Sequence, residues 1–418
     1  MQRLPGFRDF YPEPLPTSDV WSADARNWLF AHWRETARRY GFREYDGPPL
    51  EPLELFTLKS GEEIVGQLYN FVDKGERAVA LRPEMTPTLA RLVADAQRHY
   101  KKPFKWFALP QLFRYEKQQK GRLREHFQFN ADIIGEANPG IDAELIALLI
   151  DSLRATGLTA DDFVIRLSSR NAWQQFFEQR GGRPEQAYAF YQAVDKLERE
   201  QVDVSVKKFA EVGIALDAVN EFIHSGRPTE ELQAVIDQLT ARGLGGYVKV
   251  DYHIIRGLAY YTGVVFEAFD RKGEFRAIAG GGRYDNLVKL ISGGKVDLPA
   301  IGFGMGDVVL TNLLQERGRL PSFTAGIDVF VLIEDESLRG ASLAAIQQLR
   351  AAGRAVEFSP GPVKADKQFK RALELQAKFT LRLEQSDGGS TCCRVKNLQT
   401  REEQGVTPAE LAGWARTL

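Results

Sequence analysis

Helix-like and strand-like stretches both run through this chain, as in an α+β fold, and three of them organise it. Aromatic-rich, extended sequence over 104–115 is answered by 127–134, and the two read as an antiparallel hairpin around a strongly basic loop, 117–124. Over 169–246 the composition shifts to Gln, Glu, Lys and Ala with helical periodicity, as in 187–199 and 229–242, which reads as a helical insert interrupting a sheet. Past a linker at 321–325, Val329-Phe330-Val331-Leu332 opens a strand–helix–strand run to Leu418, the pattern of a small separate α/β domain.

The remaining elements follow in chain order. Leu4-Pro5-Gly6-Phe7-Arg8-Asp9-Phe10 is too marked by glycine and proline for a helix and reads as an ordered arm. Trp21, Ala25, Trp28, Leu29 and Trp33 recur at helical spacing over 21–40, with Gly41 as the stop. A short strand at 42–45 ends before Pro48 and Pro49. Val79-Ala80-Leu81 is a buried-strand candidate, and a helix is expected over 87–100. Residues 141–155 predict an amphipathic helix ended by Gly157. Strand signals resume at 247–252 and 264–267, and 298–306 alternates glycine with apolar residues before a helix near 308–316.

A length of 418 residues allows two or three domains, and a net charge of -1 means that any RNA-binding surface must be local. Adjacent Cys392 and Cys393 have no metal-ligand spacing and no disulfide framework, which fits a reducing cytoplasm. No secretory signal pattern or membrane span is read from the sequence, so a cytoplasmic protein is expected.

Chemistry concentrates in a few places. Arg256-Gly257-Leu258-Ala259-Tyr260-Tyr261-Thr262-Gly263 and Gly280-Gly281-Gly282-Arg283-Tyr284-Asp285 sit on what reads as one hairpin. Glycine lets a ligand approach the main chain, and tyrosine offers an apolar face with a hydroxyl rim. Either half alone is explained by a glycine-rich sheet core. Both in one span, each with an arginine, point to a binding site for a small polar molecule with a ring. Phe113-Arg114-Tyr115-Glu116 followed by Gly121-Arg122 places two arginines around the hairpin loop, where planar forks suit phosphate or carboxylate. Gln128 and Asp132, four apart on the returning strand, share a face, and Glu84 after Pro83 offers a second carboxylate.

These residues resemble class II aminoacyl-tRNA synthetases, and among them the histidyl-tRNA synthetases. Phe113-Arg114-Tyr115-Glu116 with its basic loop is similar to motif 2, and the stretch from Tyr40-Gly41-Phe42 to Pro48 to the dimer-forming motif 1. Leu81-Arg82-Pro83-Glu84-Met85-Thr86 and the two tyrosine signatures resemble the histidine-specific motifs. Lys367-Gln368-Phe369-Lys370-Arg371-Ala372 and Val395-Lys396-Asn397-Leu398 resemble the family's anticodon-binding domain.

The resemblance implies a class II antiparallel sheet of six or seven strands with flanking helices, a catalytic domain over 1–325 with an insertion at about 170–246, and an anticodon-binding domain over 326–418. It implies ATP, with Mg2+, and histidine as substrates, tRNA(His) as acceptor, and a homodimer. Arg256 and Arg114 would be catalytic, with Arg114, Glu116 and Arg122 on ATP. Glu84, Thr86, Gln128 and Asp132 would surround the histidine α-amino group and carboxylate. Tyr261 and Tyr284 would meet the imidazole, with Tyr260 beside them and Arg256 across the α-phosphate. Gln119 and Arg124 would contact the acceptor stem, and Lys367, Lys370 and Arg371 the RNA elsewhere; that last charge run is otherwise an ordinary solvated helix face.

Two departures stand out. Ala259 replaces an expected aspartate, and Val308 and Val309 stand where motif 3 carries Glu and an ATP-gripping Arg. They raise a competing expectation: a catalytically altered relative, such as a histidine-binding regulatory subunit of ATP phosphoribosyltransferase.

Overall fold

The computed structural model describes residues 2–58, 66–115, 123–198, 200–255, 260–323, 326–385 and 390–418. Two units divide the chain, Met1–Tyr11 with Thr17–Pro321, and Pro12–Pro16 with Ser322–Leu418.

The larger unit is organised on a nine-stranded sheet. Its middle is antiparallel throughout, in the order Phe163–Ser169, Val264–Asp270, Ala279–Arg283, Ala300–Gly306, Glu125–Ile134, Phe104–Ala108. Short edge strands add in parallel, Val248–Val250 outside Phe163–Ser169 and Arg43–Glu44 outside Phe104–Ala108, while Gln111–Phe113 pairs with the far end of Glu125–Ile134. The sheet is thus wider than the six or seven strands that the resemblance implies, because the stretches read as extended at 42–45, 104–115 and 247–252 add the short pieces Arg43–Glu44, Gln111–Phe113 and Val248–Val250 to it.

Register places the site. Along Glu125–Ile134, Phe129, Ala131 and Ile133 join the main core, which puts His126, Gln128, Asn130 and Asp132 on the opposite face. Against the core face lies the helix Pro139–Arg154, capped by Asn138, whose side chain accepts from Gly140 N. It is not the one-sided helix expected at 141–155. Ala143, Leu145–Leu149 and even Asp142 are buried, because the helices Ala23–Arg39 and Glu230–Ala241 pack on it besides the sheet. Asp142 tolerates this burial through Arg283 Nη2, 2.6 Å away.

The helix Ala23–Arg39 starts two residues later than its apolar spacing suggests: Ser22 Oγ accepts from Ala25 N at 3.1 Å, and Trp21 pairs with Phe10 instead. Similarly, the helix expected over 87–100 is Thr86–Ala96, closed by a 3-10 turn. The tract at 170–246 forms the helices Arg170–Gln179, Ala187–Lys196, Val202–Glu211, Leu216–Ser225 and Glu230–Ala241. Trp173, Phe190 and Phe209 bury within it, and Trp173 Nε1 donates to Tyr252 O at 3.1 Å.

The smaller unit holds a five-stranded sheet in the order Val356–Phe358, Val329–Leu332, Phe379–Gln385, Thr391–Asn397, Glu403–Val406. Its first three strands are parallel and its last three antiparallel. Helices Arg339–Ala351, Ala365–Glu374 and Leu411–Arg416 complete it. Among the described residues no helix is long and apolar enough to cross a membrane.

Candidate active site

Glycine explains the site's floor, though differently from the sequence reading. Gly302 lies opposite Asp132, and Gly304 opposite Asn130, on neighbouring strands. A Cβ at Gly302 would sit 1.8 Å from Asp132 Oδ1, and one at Gly304 2.6 Å from Gln128 Cδ. The alternating glycines of 298–306 therefore make room for the side chains of the next strand, which lie flat across them. The bare backbone is a bed for the protein's own carboxylate and amide.

On that bed two phenol–carboxylate pairs form. Tyr260 Oη donates to Glu84 Oε2 at 2.7 Å, and Tyr284 Oη donates to Asp132 Oδ1 at 2.6 Å. The tyrosine rings pack on one another, Tyr260 and Tyr261 with centroids 5.1 Å apart and Tyr260 and Tyr284 6.1 Å apart. Arg82 fixes the approach of Glu84: its Nη1 donates to Gly47 O at 2.7 Å and Asp46 Oδ1 at 3.0 Å, and its Nε to Gln111 O at 3.1 Å. Arg114 Nε donates to Pro83 O at 2.9 Å, tying the hairpin arginine to the same turn. Glu84, Thr86, Arg114, Gln128, Tyr260, Tyr261 and Tyr284 thus come together around one cavity of about 60 Å3. Asp132 lies just beneath, 4% exposed.

Burial pushes the Asp132 carboxyl up to about 7, against the pull of the Tyr284 hydrogen bond. Burial likewise raises the Tyr260 and Tyr284 phenols well above their ordinary value, with Glu84 and Asp132 adding to it, so both remain donors.

The small cavity shares Arg114, Gln128, Gly280 and Gly304 with a cleft of about 600 Å3. His126, Gly306, Val308 and Val309 line the larger space, so the two valines do face it. Desolvation, then Arg114 and Arg8, hold the His126 imidazole down at about 3, leaving a neutral ring on the cleft wall. Sequence reasoning missed His126 and the buried Asn130. The period-two face already drawn through Gln128 and Asp132 contains both: Asn130 lies between those two, and His126 is one step before Gln128.

Arg256, Glu116, Arg122, Gln119 and Ala259 lie outside the described residues. Arg124 does not; its guanidinium stacks on Tyr115 at 4.2 Å. In the smaller unit Lys367, Lys370 and Arg371 share the exposed side of the helix Ala365–Glu374, whose Gln368 is buried and bonded to Ile333 through N and O. Among the described residues no group of three or more His, Cys, Asp or Glu is gathered to hold a metal ion.

Comparison with known proteins gives this geometry its context. The family model described as Histidyl-tRNA synthetase matches residues 17–307. The histidine–tRNA ligase of Opitutus terrae is 45% identical over 99% of this chain and 98% of its own length. The chloroplastic/mitochondrial histidine–tRNA ligase of Arabidopsis thaliana is 37% identical over 97% of this chain and 85% of its own. The crystal structure of histidyl-tRNA synthetase from Nostoc sp. PCC 7120 superposes with a TM-score of 0.74, covering 97% of both chains at 24% identity, a likeness of fold. The family model over residues 17–307 and 45% identity along nearly the whole chain place it in the histidyl-tRNA synthetase family.

Proposed function

We propose that the chain is a histidine–tRNA ligase that activates histidine with ATP and transfers it to tRNA(His). The observation that carries this reading is the convergence of Glu84–Tyr260, Asp132–Tyr284, Arg114 and Gln128 on a small cavity that opens into a larger one. A small amino acid fits the inner space and a nucleotide the outer.

In the first step an oxygen of the histidine carboxylate attacks the α-phosphorus. A carboxylate–phosphorus bond forms, the bridging P–O bond to the β-phosphate breaks, and pyrophosphate leaves with that electron pair. Arg114 holds the α-phosphate and the reacting carboxylate close, and Arg256 lies across the same phosphate, so catalysis is positioning plus electrostatic stabilisation. Glu84, Thr86 and Gln128 hold the α-amino end. Tyr261 and Tyr284 read the imidazole, and the Tyr284 bond favours counting Asp132 with them. In the second step a ribose hydroxyl of the tRNA attacks the acyl carbon and AMP leaves.

Glu116 and Arg122 assist ATP, and Mg2+ accompanies the nucleotide as part of the substrate. Gln119 and Arg124 contact the acceptor stem; Lys367, Lys370 and Arg371 contact RNA from the 326–418 domain. A homodimer formed through the stretch 40–48 and a cytoplasmic location complete the proposal. Histidine-dependent exchange of labelled pyrophosphate into ATP tests it directly. A folded preparation that binds histidine but exchanges nothing would overturn the ligase reading.

A further inference from the structure

The arm at the start of the chain reaches the cleft from behind. Arg8 is 2% exposed at its side chain, yet it carries a full charge between two acids. Its Nε and Nη2 grip Glu125 at 2.6 and 3.2 Å, and its Nη1 and Nη2 reach Asp307 at 2.8 and 3.4 Å. Burial opposes the Arg8 charge, but Asp307 and Glu125 outweigh it and hold the guanidinium above its ordinary value. Burial in turn pushes Asp307 up, against the pull of Arg8.

The two acids are strategically placed. Glu125 precedes His126, and Asp307 lies between Gly306 and Val308, all three of which line the larger cleft. Asp307 also accepts from Phe127 N at 3.0 Å, and Gln111 Nε2 donates to Glu125 at 2.9 Å. One guanidinium therefore joins the returning hairpin strand to the start of the helix Asp307–Glu316, two neighbouring segments that both contribute to the wall. The rest of the arm reinforces the same seam. Arg124 N donates to Gly6 O at 2.8 Å, and Arg114 N to Arg124 O at 2.9 Å. Gly6, at φ +86, passes so close that a Cβ would meet Arg124 Cγ at 2.7 Å.

We infer that Arg8 is a positioning residue for the nucleotide: it sets the spacing of the wall formed by His126, Val308 and Val309. The inference rests on the proposed function, in which the larger cleft takes ATP. A fork that spans two carboxylates cannot be replaced by a point charge, so Arg8→Lys keeps the charge but loses the span.

The test measures pyrophosphate exchange and, separately, equilibrium binding of ATP and of histidine to the full chain and to Arg8→Lys. The expected result is a rise in KM and Kd for ATP of about ten- to a hundredfold, the equivalent of one charge-assisted hydrogen bond, with the histidine constants within about twofold. Asp307→Asn, which keeps the shape and removes one acid, should move ATP in the same direction and serves if Arg8→Lys does not fold. Unchanged ATP constants, or ATP and histidine weakened equally, would overturn the positioning role. A wild-type chain that binds ATP without exchange would sink the ligase reading alone, since the ATP Kd of Arg8→Lys still decides this inference; no ATP binding at all would overturn both.

Discussion

The two halves of the cleft are built by opposite means. At the inner end two phenols are already partnered with two carboxylates, in a space of about 60 Å3 walled by tyrosine rings in tilted and edge-on contact. At the outer end the space is about 600 Å3, and its wall carries a neutral imidazole and two valines beside charged groups such as Arg114 and Arg276, with the Arg8–Glu125–Asp307 ions buried next to it. A pre-paired pocket discriminates sharply, because a ligand that fails to replace each broken bond leaves a buried polar atom unmet. A wide cleft whose wall mixes apolar side chains with Arg114, Arg166, Glu267 and Arg276 can hold a larger, charged ligand and meet its charges with the protein's own. In the proposed reaction the inner end selects and the outer end assembles the phosphates.

The largest expected effect belongs to the phosphate chemistry proposed for Arg256. Arg256→Ala should cut adenylate formation about 100- to 1,000-fold, the range for removing one group aimed at developing charge. Histidine Kd, measured at equilibrium without ATP, should change little, because the charge acts mainly in the transition state. Equal losses in both would assign Arg256 to the inner pocket.

At the inner end the glycine bed is the sensitive point. Gly302→Ala would place a Cβ 1.8 Å from Asp132 Oδ1 and must drive the carboxylate off Tyr284. Histidine affinity should fall at least about tenfold, the cost of one charged hydrogen bond, while the ATP Kd stays. A histidine Kd equal to wild type would show that Asp132 is not needed where it lies.

Asp132→Asn separates recognition from stability. The carboxyl sits at about 7 because of burial, so from the ordinary carboxylate range up to that value the folded chain keeps a proton that the unfolded chain has lost. Stability contributed by this group therefore falls as pH rises through that window. The Asn variant should bind histidine about tenfold more weakly and yet melt higher than wild type at about pH 8, the gain fading as pH falls towards the carboxylate range. A melting difference independent of pH would contradict the burial origin of the shift.

Much of this contrast was legible in the sequence, for definite reasons. Gln128 and Asp132 obey strict alternation, and the tyrosine signatures are dense enough to stand out, so their convergence followed from period two and a hairpin. The glycines of 298–306 were visible but their purpose was not: whether bare backbone receives a ligand or a neighbouring side chain depends on register, which only pairing with Glu125–Ile134 fixes. The helix Pro139–Arg154 looked one-sided because Asp142 and Ser152 are polar, yet both are buried against partners distant in sequence or in the preceding turn. Arg8 left no signal at all. An arginine between glycine and proline markers looks like any exposed one, and the acids that bury it are 117 and 299 residues away.

Tyr284→Phe is a milder cut at the inner end, since it removes the donor and keeps the ring. Histidine affinity should drop by up to about tenfold, one hydrogen bond's worth, with discrimination against other amino acids falling in parallel. Unchanged discrimination in competition exchange assays would remove Tyr284 from the imidazole-reading pair.

The smallest expected effect tests the outer wall itself. Val309 lies on the cleft where a motif 3 arginine is expected by the resemblance, so Val309→Arg restores the missing cation. A charge on a wide, solvent-filled cleft is worth only up to about 1 kcal/mol, so the KM for ATP should fall no more than about fivefold. A fall well beyond that would mean that the γ-phosphate is otherwise unheld and that the valine limits the enzyme. A rise would mean that an arginine already on the wall, such as Arg114 or Arg276, holds the phosphate and that the valine surface, braced by Arg8 and Asp307, is the arrangement this chain uses in place of a motif 3 fork. The second outcome, combined with loss of the effect in an Asp307→Asn background, would tie the wall to its brace and make the difference between the two ends of the cleft a matter of construction and not of missing charge.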